Sequence, residues 1–143
     1  MKKIILTISL LFGLTMLAQK TTKQTESTSI SFQKGILKQA LIYADAPTAI
    51  ANLHNIIALE GVNSTYKDTL AIVYYKTGNY VSSHIVAKEL LQSKPENLQL
   101  LEIEANSLQN LGAGKEATEV FENLFAKTKN MYHGYQLANL NTL

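Results

Sequence analysis

The chain contains no cysteine and no tryptophan, and every one of its 13 basic residues is a lysine. Without cysteine there are no disulfides, no thiolate metal ligands and no thiol nucleophile. Without arginine the chain lacks the planar fork that grips phosphates and carboxylates through two parallel hydrogen bonds. Recognisable catalytic elements are missing too: no Gly-x-Ser-x-Gly elbow, phosphate loop or His-Glu-x-x-His helix occurs. The histidines His54, His84 and His133 are far apart, and none has a second ligand at i,i+4 spacing. They are expected to be ordinary surface or boundary residues. Glu116, Glu119 and Glu122 read as a solvated acidic stripe, and Glu102 and Glu104, two apart, cannot share a helix face. Nothing in this pattern calls for a cofactor or a metal, and an enzyme is not expected.

What is present begins with a targeting signal. Lys2 and Lys3 precede an apolar run of about 14 residues, Ile4 to Leu17, then Ala18 and the polar Gln19-Lys20. This order predicts a secretory signal peptide of bacterial type, residues 1–18, cleaved after Ala18. The run is short for a membrane-spanning helix, which needs ~20 residues, so no stable span is expected after cleavage; an uncleaved anchor is the alternative. A lipid anchor on a cysteine is excluded by composition. The destination is the periplasm, the outer envelope or the medium. The formal charge of +2 belongs to Lys2 and Lys3, because beyond Ala18 the remaining 11 lysines meet 11 acids. A neutral domain offers nucleic acid no electrostatic attraction.

Residues 19–31 (QKTTKQTESTSIS) have little to bury and read as a flexible linker. From there the chain repeats itself at an offset of 34 residues: Leu37, Ala71, Ala105; Ala40, Tyr74, Leu108; Ala49, Ser83, Ala117; Leu53, Ala87, Phe121; Ile56, Leu90, Leu124. Ala44, Gly78 and Gly112 recur where the chain must turn. A period of 34 with this pattern marks a helix–turn–helix solenoid, whose units bury their apolar faces only by stacking on one another. Units fall at about 30–63, 64–97 and 98–131, with a partial unit at 132–143, so residues 32–143 form one repeat domain.

Paired helices are expected at about 32–43 and 47–59, 64–76 and 80–93, 96–111 and 115–127, with a last helix from about Met131 toward Leu143. Asp45 ahead of Pro47, Asn63 or Ser64, and Asn79 are candidate caps, Gly61 closes the second helix, and Lys94-Pro95 stops the fourth. Small residues at Ala71, Ser83, Ala105 and Ala117 let crossing helices approach to ~8–10 Å, and Tyr74, Leu90, Phe121 and Leu124 fill the space between units.

Leu70-Ala71 with Tyr74, then Gly78, Tyr80 and Pro95, and in the third unit Ala105, Gly112, Ala117 and Phe121, resemble the tetratricopeptide repeat family. The resemblance covers about residues 30 to 143. Departures are Gln33, Lys67 and Leu101 in place of a large aromatic, Glu104 in place of Leu, and Lys129 in place of the closing Pro. It implies an all-α, right-handed α-solenoid of about three repeats plus a C-terminal helix, with the first helix of each unit lining a concave groove. Carried over, the groove would hold Lys34, Lys38, Leu41 and Ile42; Thr65, Asp68, Ile72, Tyr75 and Lys76; and Gln99, Glu102, Asn106, Gln109 and Asn110. Asp68 and Glu102 stand where members that clamp a peptide's terminal carboxylate carry cations, so a mixed polar groove for a peptide or helix is expected instead. A solvated face without ligand is the alternative. The last helix, with Tyr132, Tyr135, Leu137, Ala138, Leu140 and Leu143, keeps apolar residues and is a candidate surface for a homodimer or for docking. The implied role is a non-catalytic protein-binding scaffold, or a spacer in an envelope enzyme or transport complex.

Overall fold

The computed structural model describes residues 28–140, so the signal segment, residues 19–27 of the linker and Leu143 lie outside the described residues. The described residues form seven helices and no strand. They are α1 (28–42), α2 (Ala46–Glu60), α3 (Tyr66–Lys76), α4 (Tyr80–Ser93), α5 (Leu98–Asn110), α6 (Gly114–Thr128) and α7 (Met131–Leu140). From α2 onward each helix packs on the next in chain order, and α3 also packs on α5.

The core steps along this stack in three clusters. Leu37 and Ala40 of α1 meet Ala49, Leu53 and Ile56 of α2 and Leu70 and Val73 of α3. Ala71, Ala87, Leu90, Leu100 and Ile103 join α3, α4 and α5. Leu101, Ala105, Leu108, Ala117, Phe121 and Leu124 join α5 to α6, and Leu137 and Leu140 of α7 cover them. The residues that recur every 34 positions are the buried ones: of the fifteen in the five triplets named above only Tyr74 is half-buried. Periodic packing of small against large side chains therefore sets the architecture. Ser83 takes an alanine position without penalty because its hydroxyl donates to the Ala71 carbonyl at 3.0 Å.

Helix ends follow the local sequence. Asp45, Asn79 and Asn97 each accept a hydrogen bond at 3.2 Å from the third backbone N–H beyond them, those of Thr48, Ser82 and Leu100. Asn97 is why α5 begins at Leu98 rather than at Glu96. The Ser64 hydroxyl accepts from the Tyr66 N–H at 3.3 Å and donates to Glu60. The turns inside the three units place Ala44, Gly78 and Gly112 at φ +56°, +76° and +76°, one left-handed residue each. Lys129, which stands in place of the repeat pattern's closing proline, ends α6 at φ +53°, in the left-handed conformation.

One boundary needs correction. Residues 28–31, read from sequence as the end of a linker, are already helical. Ile30, Gln33, Lys34 and Leu37 fall on one face and turn at least partly inward, and that packing outweighs the modest helix propensity of Thr28, Ser29 and Ser31.

Candidate interaction groove

The first helices of the units, α1, α3 and α5, lie side by side along one face, and three hollows run along it. The first, of about 410 Å³, is lined by Lys34, Leu37, Lys38, Leu41, Ile42 and Tyr66. The second, of about 360 Å³, is lined by Ala40, Leu41, Ala44, Asp45, Ala46, Ala49, Val73, Lys76 and Thr77. The third, of about 180 Å³, is lined by Ile72, Tyr75, Lys76, Gln99, Glu102, Ile103 and Asn106. Leu41 is shared by the first two and Lys76 by the last two, so each hollow adjoins the next. The structure thus brings together Lys34, Lys38, Leu41, Ile42, Ile72, Tyr75, Lys76, Gln99, Glu102 and Asn106. Thr65, Asp68, Gln109 and Asn110 are not among the side chains lining these hollows. Asn110 donates to the Asn106 carbonyl at 2.7 Å, and Gln109 donates to Gln136 of α7 at 2.9 Å.

Three of the expected groove residues, Lys34, Asp68 and Glu102, occupy equivalent places in the three units; Lys34 and Asp68 are fastened within their own unit, and Glu102 by His133 of α7. Lys34 pairs with Glu60 at 2.7 Å and lies over the Tyr66 ring. Asp68 takes both its oxygens to the Lys94 ammonium, 26 residues on, at 2.8 and 2.9 Å. In the third unit the residue equivalent to Glu60 and Lys94 is Thr128, and His133 bridges it to Glu102. Each clasp ties the first helix of a unit to the end of its second, and the sign of the charge on the first helix reverses between α1 and α3. The Lys34 ammonium holds the Glu60 carboxyl below its usual range, helped by the Ser64 hydroxyl, and Glu60 in turn raises Lys34.

His133 departs from the surface or boundary placement expected for it: it is 1% exposed. Its Nδ1 lies 2.9 Å from the Thr128 hydroxyl and its Nε2 lies 3.0 Å from Glu102 Oε1. The Thr128 hydroxyl also lies 2.7 Å from the Leu124 carbonyl.

The α7 residues that reach the groove were missed in sequence, although the period held the signal. His133 and Gln136 stand 34 residues beyond Gln99 and Glu102, so α7 continues the groove wall as the first helix of a further unit. The Tyr132 hydroxyl donates to Asn106 Oδ1 at 2.8 Å. Burial pushes the Tyr75 phenol above its usual range, with Tyr132 and Tyr80 nearby adding to the effect. On α7, Leu137 and Leu140 turn toward the core, while Met131 and Tyr135 stay exposed at 83% and 64%.

Glu104, which takes a leucine position, is buried and hydrogen-bonded to His84 Nδ1 at 3.0 Å; desolvation raises its carboxyl above the ordinary range. Glu102 and Glu104 therefore do serve different faces, one bound to α7 and the other to α4. His54 is hydrogen-bonded to the Tyr74 hydroxyl at 2.8 Å. Among the described residues no group of three or more His, Asp or Glu is placed to hold a metal ion, and no helix is long and apolar enough to cross a membrane.

In fold the chain is similar to the TPR domain of OM64 from Arabidopsis, with a TM-score of 0.67 at 15% sequence identity, over 82% of this chain and 98% of that one. No family model matches the chain, and no curated protein matches it in sequence. The likeness shows the fold, a tetratricopeptide-repeat stack of paired helices.

Proposed function

We propose that this protein is a non-catalytic interaction scaffold of the cell envelope that holds a segment of another protein along its concave face. The observation that carries the reading is the row of three adjoining hollows from α1 to α5, the first two sharing Leu41 and the last two Lys76. Such a row suits an extended peptide or a single helix, with the apolar lining near α1 taking side chains and Tyr75, Gln99 and Asn106 offering hydrogen bonds. Envelope placement rests on the basic and apolar leader, Lys2 to Ala18. The decisive experiment is crosslinking in intact cells, comparing the parent with a Tyr75→Ala, Asn106→Ala double variant. The parent is expected to gain specific partners that the variant loses. An unchanged partner set would defeat the groove as the binding surface, and recovery of the parent from the cytoplasm would defeat its export.

A further inference from the structure

We infer that the outer face of α1 joins two copies of this protein into a twofold-symmetric dimer, the two stacks meeting end to end. This interface stands apart from the groove and does not depend on it. At the 34-residue offset, Phe32, Ile36 and Gln39 of α1 correspond to Tyr66, Leu70 and Val73 of α3 and to Leu100, Glu104 and Ser107 of α5. At these positions the later units receive the second helix of the unit before. Tyr66, Leu70 and Val73 pack in the cluster that holds Leu53 and Ile56 of α2. Leu100 packs with Ala87 and Leu90 of α4, and Glu104 is hydrogen-bonded to His84 of α4 at 3.0 Å. Among the described residues no helix precedes α1, so nothing of that kind covers its face. Phe32 is 66% exposed where Leu100, at the same place in the third unit, is 2% exposed. Ile36 is half-buried, and Tyr43 extends the stripe at the i, i+4, i+7, i+11 spacing of one helix face.

The two ends of the stack differ. On α7 the face that a following helix would meet carries Tyr135 and Asn139, the equivalents of Leu101 and Ala105. An amide at the close-approach position gives that end a polar terminus. The α1 end keeps two rings and an aliphatic side chain instead. Residues 19–27 ahead of it, QKTTKQTES, hold no large apolar side chain to lay over them. A second copy fits on charge. A twofold contact sets a patch against its own image, so a patch with net charge repels itself. The exposed stripe of α6, with Glu116, Glu119 and Glu122, is of that kind. The α1 stripe of Phe32, Ile36, Gln39 and Tyr43 is uncharged; of the two lysines on this helix, Lys34 is paired with Glu60 and Lys38 lines the first hollow. Antiparallel pairing of two such stripes sets Phe32 against Tyr43 of the other copy and Ile36 against its Gln39.

The test is sedimentation velocity on the exported, processed protein from micromolar concentration upward. The parent should sediment as a dimer. Phe32→Glu should weaken association by about tenfold or more, with monomer melting unchanged because the ring is exposed. Tyr43→Lys should weaken it as well. Both changes in one chain should restore the dimer, since the opposite charges meet across the twofold but lie about three turns apart within one copy. Tyr135→Glu on α7, and the Tyr75→Ala, Asn106→Ala groove variant, should dimerise like the parent. A parent that stays monomeric at every concentration overturns the inference, and so does a dimer lost in Tyr135→Glu but kept in Phe32→Glu. A monomeric parent whose crosslinked partners in cells are lost on Phe32→Glu would give the α1 face to a helix of another protein and likewise overturn self-association. A dimer weakened by both single changes but not restored by the pair would overturn the antiparallel twofold.

Discussion

At the scale of single residues, the three unit turns form an internal comparison. The same left-handed position is filled by glycine twice and by alanine once, at Ala44. An L side chain in that conformation costs about 1 kcal/mol relative to glycine, partly offset by the greater freedom glycine has when unfolded. Ala44→Gly is thus expected to stabilise the protein by up to about 0.5–1 kcal/mol, a rise of about 2–5 °C in melting temperature. Gly78→Ala should lower it by a similar amount, and calorimetry on the two variants checks both signs. Glu104 supplies a pH dependence. Its folded carboxyl is raised above the ordinary 4.5 by burial, so its contribution is fully present below that value and is lost as pH rises through the folded value. At neutral pH the ionised side chain is a net cost. Glu104→Gln should therefore melt above the parent near pH 7, with the difference closing near pH 4. A constant difference across that range would show that the ionisation is not responsible.

At the scale of elements, α7 is held by both its apolar face and its side-chain hydrogen bonds. Leu137 and Leu140 cover the last core cluster, while Tyr132, His133 and Gln136 bond to Asn106, Glu102 and Gln109 of α5. His133→Ala removes a buried ring and two hydrogen bonds and leaves Glu102 unpaired, at an expected cost of about 2–4 kcal/mol. Hydrogen exchange should show that loss in α7 and the end of α6, with α2 and α3 protected as before. Uniform loss of protection would mean that the stack opens as one body. Helix existence, order and most caps were legible in the sequence because they rest on short spacings: Asp45 three residues before Thr48, Asn79 before Ser82, Gly78 at a turn. The start of α1 was not, since Thr28 to Ser31 suits a linker as well as a first helical turn, and only packing around Ile30 decides between them. Nor was the burial of His133, which depends on Glu102 from another helix and on Thr128 beyond a turn.

At the scale of the whole molecule, one offset accounts for fold and face together. Equivalent residues return every 34 positions, the buried ones stack into the core, and those on the first helices share one surface. The resemblance put Lys34, Lys38, Ile72, Tyr75, Lys76, Gln99, Glu102 and Asn106 on this surface, where they line the hollows, and also Thr65, Asp68, Gln109 and Asn110, which do not; the electrostatics of the face could not be read in advance. Charge on the face depends on partners from elsewhere in the fold: Glu60 and Lys94 stand 26 residues beyond Lys34 and Asp68, whereas the third unit has Thr128 at that place and His133 meets Glu102 instead. On the folded face Lys34 is paired with Glu60 and Asp68 with Lys94, while Lys38, Asp45 and Lys76 line the hollows.

The sequential packing from α2 to α7 has a mechanical consequence. Beyond the contacts of α3 with α5 and of α5 with α7, each helix of this series packs only on its immediate neighbours. A pull between Ala46 and Leu140 thus loads the helix contacts one after another, with no single shear clamp to break. The molecule should behave as a soft spring, lengthening under small force and recoiling when the load is released.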